Sequence, residues 1–325
     1  MTLCAAGCKS PQATVVENTW GPAPAAPPSS PNFLIGVGSQ RAGSTLLYKI
    51  LHRAAQGLFM HPVKELHYFD SLYRIRSPEA LTTFSRAQLR RLNEQHGCLD
   101  VETTETLSKR DQCEIRTNQL LSAHEVEAIP YTDLYRPCVM HFPWLGEITP
   151  EYMLLDAEQL RRAQEIMGSR ACFVLVARHP LKRFISAFRL RYSYLRPPGS
   201  PKPDNATLVR DLKGTLKQRD AWLQSQLRFS DYAAAIATFR QVCDSNFLVF
   251  SLDDLVRRTD TVMQQLSELT GLSIDHELAT SMVQSKVNET GVEIELDDEC
   301  RDLCDAVFSP LIEQSADLFD HPLAL

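Results

Sequence analysis

A glycine-containing turn between an apolar segment and an amphipathic segment constrains the fold of this chain most strongly. The apolar segment covers residues 32–35, and the turn covers residues 36–45, here called the anion loop. Leucine and isoleucine then recur at helical spacing from Leu46 to Leu51. A strand, a glycine turn and a helix start direct several backbone N–H groups and the positive helix end toward one point. The sequence therefore predicts an anion-binding loop at the beginning of an α/β domain.

The anion loop lacks the lysine of a Walker-type phosphate loop. When Gly38 and Gly43 are aligned with the glycines of that motif, Ser44 occupies the lysine position, and the nearest cation is Arg41. The missing lysine removes a group that phosphoryl transfer with Mg²⁺ requires. We therefore expect anion binding at this loop without hydrolysis of nucleoside triphosphates.

Composition and charge argue against several classes of protein. The chain has 325 residues, of which 44% are hydrophobic and 23% charged, as in ordinary globular proteins. A net charge of −6 and a pI near 5.9 disfavour a general nucleic-acid binder. No apolar run long enough to cross a membrane and no secretory signal are visible in the sequence. We therefore expect a soluble, cytoplasmic protein without a membrane span.

The cysteines do not form a recognisable metal-binding pattern. Nine cysteines are scattered through the chain, and no Cys-x-x-Cys pair occurs. Cys300 and Cys304 are spaced to share a helix face, but two ligands do not make a zinc site. We expect free thiols in a reducing compartment and no bound metal.

The chain divides into a short tail and one predicted domain. Five of the eleven residues from 21 to 31 are proline, so residues 1–31 are expected to be a disordered tail and residues 32–325 a single domain. Apolar runs at residues 57–60, 172–177 and 247–252 predict further strands. Helical patterns cover residues 79–96, 156–167, 180–188, 255–269 and 297–318, whereas residues 100–140 show no clear period. Strands that alternate with helices predict a parallel sheet covered on both faces.

A basic segment follows the predicted strand at residues 172–177. It contains six lysine and arginine residues and no acidic residue between Arg178 and Arg196. Arg178 ends the strand, where α/β sheets place ligand-binding groups, and its guanidinium suits a phosphate dianion. Ser186, about two helical turns later, is expected to reach the same phosphate. Alternatively, Arg178 caps a carbonyl and Ser186 is a surface serine, and we expect most of the basic residues to form a solvated helix face.

Four sequence blocks, in order, resemble the sulfotransferase superfamily that uses 3′-phosphoadenosine-5′-phosphosulfate (PAPS). Residues 40–45 resemble the loop for the 5′-phosphosulfate, and residues 177–186 resemble the block for the 3′-phosphate. Residues 64–70 and 146–152 resemble blocks of the heparan-sulfate N- and 3-O-sulfotransferase branch. The resemblance implies a P-loop nucleotide-kinase-like, three-layer α/β fold with a central parallel sheet.

The resemblance also implies an activity and a set of site residues. A sulfonate group would pass from PAPS to a hydroxyl or amine of a carbohydrate or small-molecule acceptor, with adenosine 3′,5′-bisphosphate as product and no metal. Glu65 would be the general base, Lys64 would contact the sulfonate or the bridging oxygen, and Arg41 would hold the 5′-phosphosulfate. The expected cofactor contacts are Gln40, Arg41, Ala42, Gly43, Ser44, Thr45, Arg178, Ser186, Lys286 and Asn288.

Several of these assignments have alternatives. His67 is a rival base, since cytosolic sulfotransferases of another branch use histidine, or it contacts the substrate. Glu147 and Tyr152 either line the acceptor site or brace the sheet. Lys64 and Glu65 alternatively form only a surface ion pair.

Two other functions remain open from the sequence: a kinase-like phosphotransferase, and a non-catalytic nucleotide-binding or scaffolding protein. Metal dependence distinguishes the first from sulfonate transfer, and binding without turnover would indicate the second. The identity of the acceptor and the oligomeric state are not encoded in any readable motif.

Overall fold

The fold is described from a computed structural model. It describes residues 31–97, 99, 101–168, 170–195, 203–286 and 294–316, with the side chains of residues 101–103 and 286 left aside. Of the predicted tail at residues 1–31, only Pro31 lies within these ranges, and Asn288 lies outside them.

A parallel sheet of five strands forms the centre of the described structure. The strands are β1 (Asn32–Gly38), β2 (Leu58–Met60), β3 (Trp144–Ile148), β4 (Ala171–Ala177) and β5 (Phe247–Ser251). They lie in the order β2-β3-β1-β4-β5, and every neighbouring pair is parallel. The predicted parallel α/β fold is therefore confirmed, with β1 in the middle of the sheet.

Helices connect the strands and follow the last of them. They are α1 (Ser44–Ala54), α2 (Tyr68–Leu72), α3 (Pro78–His96), α4 (Val101–Thr106), α5 (Lys109–Ala123), α6 (Ala157–Met167), α7 (Pro180–Tyr194), α8 (Asn205–Gln218), α9 (Ala221–Arg228), α10 (Tyr232–Cys243), α11 (Leu252–Arg257), α12 (Thr259–Thr270), α13 (His276–Lys286) and α14 (Asp298–Ala316). Short 3₁₀ turns cover Val126–Ala128, Tyr131–Tyr135, Pro150–Leu154 and Asp244–Asn246.

The two faces of the sheet pack against different helices because side chains alternate along each strand. Phe33, Ile35 and Val37 of β1 belong to one buried cluster, which also contains side chains of α5, α6 and α10. Leu34 belongs to a second cluster with side chains of α1, α12 and α13. The result is the predicted arrangement of three layers, with helices on both sides of the sheet. A third cluster joins α7, α8, α9 and α14 beside these layers.

Most predicted elements are present. Several helices, among them α8, α9, α10 and α13, were not predicted, and three further differences occur. The predicted helix over residues 255–269 is two helices, α11 and α12, which meet at Arg258. Strand β3 was not predicted, although it pairs with both β1 and β2. Residues 100–140, which showed no period, contain α5, whose apolar residues form no continuous stripe. Predicted helix ends are confirmed at Asp156, which forms a capping box, and at Gly271, which has φ of 77°.

None of the helices in the described ranges combines the length and apolar character that crossing a membrane would require. Six cysteines lie in these ranges, and all are buried free thiols. The expectation of unpaired cysteines is therefore confirmed for this part of the chain.

Candidate functional site

The candidate site lies at the edge of the sheet where the parallel strands end. The loops that follow β1, β2, β4 and β5 all leave the sheet at this edge, as is usual for ligand sites in open α/β sheets. The loop after β1 is the anion loop, and the loop after β2, residues 61–67, is here called the base loop. Each carries residues that the sequence analysis singled out.

The anion loop ends in a helix start with free donors. Gly43 is the N-cap of α1, with φ of 95°, and no side chain caps the helix. Within the described ranges, the backbone N–H groups of Gly43, Ser44 and Thr45 donate to no protein group. Since these donors and the positive end of the α1 dipole meet at one point, an anion bound there would satisfy them.

The conformation at Gly43 is one that other residues adopt at a cost. Its φ lies in the left-handed region, and a Cβ atom at this position would lie 2.5 Å from Leu252 Cδ1. Leu252 begins α11, directly after β5. The absence of a side chain at Gly43 therefore lets the anion loop lie directly against the end of β5.

The structure brings Arg41, Arg178 and Ser186 together. Arg41 Nε donates to Ser186 Oγ at 3.0 Å, and a terminal nitrogen of Arg178 donates to the Arg41 carbonyl at 3.0 Å. Arg178 does cap a carbonyl, as the alternative interpretation allowed, but that carbonyl belongs to the anion loop itself. Because a guanidinium has five N–H donors, most of those on Arg178 remain for a ligand.

The junction between α9 and α10 holds Arg178 and the anion loop in place. The Tyr232 hydroxyl accepts from the backbone N–H of Arg178 at 3.2 Å and donates to the carbonyl of the same residue at 2.8 Å. Ser39 Oγ in the anion loop donates to the Phe229 carbonyl at 2.7 Å. The sequence analysis missed this support, because the hydroxyl and carbonyl groups involved follow no motif.

One basic residue of α7 departs from the predicted solvated helix face. The Arg183 side chain is fully buried, so this residue is not part of the solvated face that was expected for most of the basic residues. It donates from Nε to Ser230 Oγ at 2.7 Å and from its terminal nitrogens to the Gln226 side chain at 3.1 Å and the Gln226 carbonyl at 2.6 Å. The pattern of α7 alone could not show this, because the partners lie about forty residues away in the sequence.

Lys64 joins the base loop to the anion loop. Its Nζ donates to Ser44 Oγ at 3.2 Å and to Glu65 Oε1 at 2.5 Å. The ion pair of the alternative interpretation is present, but the same ammonium also contacts the helix start that carries the free N–H groups. An ammonium in this position places positive charge between the anion loop and the Glu65 carboxylate.

The Glu65 carboxylate is held in its ionised form. Burial acts to raise its pKa, but a hydrogen bond from His67 and the positive charge of Lys64 outweigh it and lower the pKa to about 2. The Glu65 side chain is nevertheless 39% exposed. It is therefore a charged carboxylate that an incoming molecule is able to contact.

His67 lies behind Glu65 in a buried cluster of charged groups. Its Nδ1 bonds Asp70 Oδ2 at 2.8 Å, and its Nε2 lies 3.6 Å from Glu65 Oε2. Burial disfavours the charged imidazole, but hydrogen bonds to Asp70 and Glu65 outweigh burial and raise the pKa of His67 to about 9.

One guanidinium opposes this protonation. Arg76 approaches Nε2 of His67 at 3.2 Å, a contact that is favourable only with a neutral ring. The carboxyl groups of Glu65, Asp70 and Glu151 all face the ring, and together they outweigh this guanidinium and favour the imidazolium. Because a protonated ring has no lone pair with which to accept a proton, this arrangement favours Glu65 over His67 as the candidate base.

Three of these groups have a geometry that a metal ion could use. Ligand atoms of Glu65, His67 and Glu151 lie within 4.8 Å of one another. Lys64 and Arg76 contact the same cluster, so a metal ion there would meet two positive charges. The donor set therefore suits protons and ammonium groups better than a metal ion.

Glu147 and Tyr152 lie inside the protein, with 0% and 1% of their surface exposed. Glu147 accepts four hydrogen bonds, and Tyr152 in turn accepts from the backbone N–H of Tyr68 at 3.0 Å. The four donors to Glu147 are the Leu66 N–H at 3.1 Å, Thr149 Oγ1 at 2.5 Å, the Tyr131 hydroxyl at 2.9 Å and the Tyr152 hydroxyl at 2.8 Å. This geometry favours the bracing alternative, since the carboxylate ties the base loop to β3.

Two predicted cofactor contacts are not described by the structure. Lys286 is the last residue of α13, and its side chain lies outside the description. Asn288 lies outside the described residues altogether.

Comparisons with solved structures return sulfotransferases. A sulfotransferase from Alicyclobacillus acidocaldarius aligns over 90% of this chain and 97% of its own, with 16% identity and a TM-score of 0.52. The sulfotransferase domain of the Synechococcus PCC 7002 olefin synthase aligns over 87% and 95%, with 20% identity and a TM-score of 0.43. A mouse sulfotransferase solved in complex with PAP aligns over 90% and 86%, with 9% identity and a TM-score of 0.43.

A match to a family profile identifies the chain more directly. No curated protein sequence matches it significantly. The profile of the sulfotransferase family, however, matches residues 33–276, which include the anion loop, the base loop and the start of α7. This match is to the family as a whole and does not single out the heparan-sulfate branch. Since it spans well over half of the sequence, the chain belongs to the sulfotransferase family.

Proposed function

We propose that this protein transfers a sulfonate group from PAPS to a hydroxyl or amine of a carbohydrate or small-molecule acceptor, with Glu65 as the general base. The observation that carries the proposal is the position of Lys64. Its ammonium contacts both Ser44 at the helix start and the Glu65 carboxylate. A donor bound at the helix start and an acceptor activated by Glu65 would therefore meet at Lys64.

The described residues suit a nucleotide with phosphate groups at two ends. The free N–H groups of residues 43–45 provide for the 5′-phosphosulfate, and Arg178 with Ser186 provides for the 3′-phosphate. Gln40, Arg41 and Ala42 complete the loop around the 5′ end. Lys286 and Asn288 stay candidates for closing over the nucleotide, on the family resemblance alone.

Bound PAPS supplies an activated sulfonate with adenosine 3′,5′-bisphosphate as the leaving group. The protein must stabilise the negative charge that develops on the departing phosphate oxygen. Backbone N–H groups of the anion loop, the hydroxyls of Ser44 and Thr45 and the cations Lys64 and Arg41 are already in place to do so. Because these groups supply the positive charge, we propose that the reaction needs no metal.

Glu65 would remove the proton from the attacking acceptor group. The attacking hydroxyl or amine must lose a proton, and an ionised carboxylate within hydrogen-bond reach accepts it. His67 holds this carboxylate from behind, and Asp70 fixes the imidazole through Nδ1. We propose that His67, Glu147 and Tyr152 support the base loop and that Glu65 itself faces the acceptor.

The same proposal includes a reducing, cytoplasmic location. It is supported by the six free, buried thiols in the described ranges, since proteins of oxidising compartments commonly pair their cysteines.

The test is transfer of labelled sulfonate from PAPS to a panel of hydroxyl and amine acceptors in the presence of EDTA. Glu65→Gln should lower kcat by about a hundredfold or more, the usual scale for loss of a general base. Its affinity for adenosine 3′,5′-bisphosphate should stay within about threefold of the wild-type value. Glu158→Gln is the matched control, because Glu158 is a carboxylate on α6 with a 73% exposed side chain.

Three results would contradict the proposal. Full activity of Glu65→Gln would remove the assigned base. Phosphoryl transfer that disappears in EDTA would favour the kinase-like alternative. Tight nucleotide binding without turnover on any acceptor would favour a non-catalytic protein.

A further inference from the structure

Arg183 is a buried cation without a carboxylate partner in the described part of the chain. It is 0% exposed, and its three hydrogen-bonded acceptors are the Ser230 hydroxyl, the Gln226 amide oxygen and the Gln226 carbonyl. All three acceptors are neutral. Besides burial, the groups that affect the pKa of Arg183 are Tyr232 and Arg178, and Arg178 is also a cation.

Such an arrangement is costly for the folded protein. Removing an arginine from water costs several kcal/mol, and a counter-ion normally offsets part of this cost. Burial lowers the pKa of Arg183 to about 10, which still leaves the side chain charged at neutral pH. The interior beneath α7 therefore holds a full positive charge that hydrogen bonds to neutral groups compensate only in part.

The position of this charge relates it to the anion site. Arg183 lies between Arg178 and Ser186 in the sequence, and three residues of helix, a rise of about 4.5 Å, separate it from Ser186. The N-terminal end of α7, a helix of 15 residues, lies at the same place and adds its own positive partial charge. The buried guanidinium and the helix dipole thus act in the same direction on an anion bound by Arg178 and Ser186.

We propose that Arg183 is a specificity-determining residue that raises the affinity for the 3′-phosphate of the nucleotide without contacting it. The bound phosphate then serves as the counter-ion that the described residues do not supply. This inference rests on the proposed function, which assigns the 3′-phosphate to Arg178 and Ser186.

Gln226→Glu tests the inference by neutralising the charge in place. The Gln226 amide oxygen accepts from Arg183 at 3.1 Å, and Gln226 is 5% exposed, so a glutamate of the same size would form a buried ion pair there. Affinities for adenosine 3′,5′-bisphosphate and adenosine 5′-monophosphate are measured by calorimetry at low salt. The two ligands differ only in the 3′-phosphate, so their ratio isolates its recognition.

The ratio of the two affinities should fall by about tenfold in Gln226→Glu. A fall of this order is expected when a full positive charge in the surroundings of a bound phosphate is neutralised by a partner of opposite sign. The melting temperature of the nucleotide-free protein should rise, because the buried charge gains a partner. Gln224→Glu is the control, since it adds the same charge on an exposed position of α9 and should leave the ratio unchanged.

Arg183→Gln is a second variant that removes the charge itself and should lower the same ratio to a similar degree. If either variant folds and keeps the wild-type ratio, Arg183 is only a structural residue and the inference is overturned. If the wild-type protein binds both nucleotides equally, the proposed function fails, and the inference fails with it.

Discussion

Glu147 either braces the base loop against β3 or contacts the substrate, and the substitution Glu147→Gln tests which role it has. The carboxylate accepts two hydrogen bonds at each oxygen: Tyr131 and Tyr152 at Oε1, and Thr149 and the Leu66 N–H at Oε2. A glutamine keeps the size of the side chain but replaces one oxygen by an NH₂ group. That NH₂ group must then face two donors.

The expected cost follows from these four bonds. The amide oxygen would keep the Leu66 N–H, which cannot rotate, and the NH₂ group would face the two tyrosine hydroxyls. Tyr152 already accepts from the Tyr68 N–H, so its own proton would lose its acceptor. Losing two hydrogen bonds to a charged group, each worth about 1–2 kcal/mol more than a neutral one, lowers the free energy of unfolding by about 2–4 kcal/mol.

The measurement is thermal unfolding followed by circular dichroism, together with steady-state kinetics. The melting temperature of Glu147→Gln should fall by roughly 5–10 °C for a domain of this size. Glu158→Gln, on an exposed helix position, should melt within about 1 °C of the wild-type protein. If Glu147→Gln keeps the wild-type melting temperature and instead raises KM for the acceptor, the carboxylate contacts substrate and the bracing assignment is wrong.

Three further predictions concern the other parts of the site. His67→Gln should flatten the pH dependence of stability. In the wild-type protein the protonated His67 ring adds stability that is fully present below about pH 6.5 and is lost as the pH rises through about 9. Urea unfolding of the wild-type protein between these pH values would show no such decline if His67 were neutral. Gly43→Ala should weaken binding of adenosine 3′,5′-bisphosphate and cost about 1–2 kcal/mol of stability, because a φ of 95° is strained for any residue with a Cβ atom. An unchanged calorimetric affinity would show that the loop tolerates a Cβ atom. Tyr232→Phe should lower the same affinity by about threefold to tenfold, since Arg178 loses two backbone hydrogen bonds, and equal affinity would contradict this support.

The sheet could be predicted from the sequence where its strands are fully apolar. β4 reads as seven apolar residues in a row, as expected of a strand covered on both faces. β3 is also fully buried, yet its sequence includes Gly146 and Glu147. Glu147 is satisfied there by tyrosine and threonine hydroxyls, one of them sixteen residues away, and no local pattern reports such partners.

The candidate site likewise combines features that local sequence predicts with features that depend on residues far away in the sequence. The anion loop was predictable because glycine and helix-start signals are local in the sequence. The fully buried state of Arg183 was not, because Gln226 and Ser230 reach it from a separate helix pair. His67 was ambiguous because the sequence shows neither that the nearby Asp70 and Glu65 both face its ring nor that Glu151, which follows β3, joins them.

The central claim is that the anion loop and the start of α7 bind the two phosphate ends of one nucleotide. It can be tested by calorimetric titration of the wild-type protein with adenosine 3′,5′-bisphosphate and with ADP in EDTA, and separately with ATP plus Mg²⁺ in a buffer without EDTA. The bisphosphate should bind at least about tenfold more tightly than ADP, because only it offers a 3′-phosphate to Arg178 and Ser186. Equal affinity for ADP, or tightest binding of ATP with Mg²⁺, would contradict it.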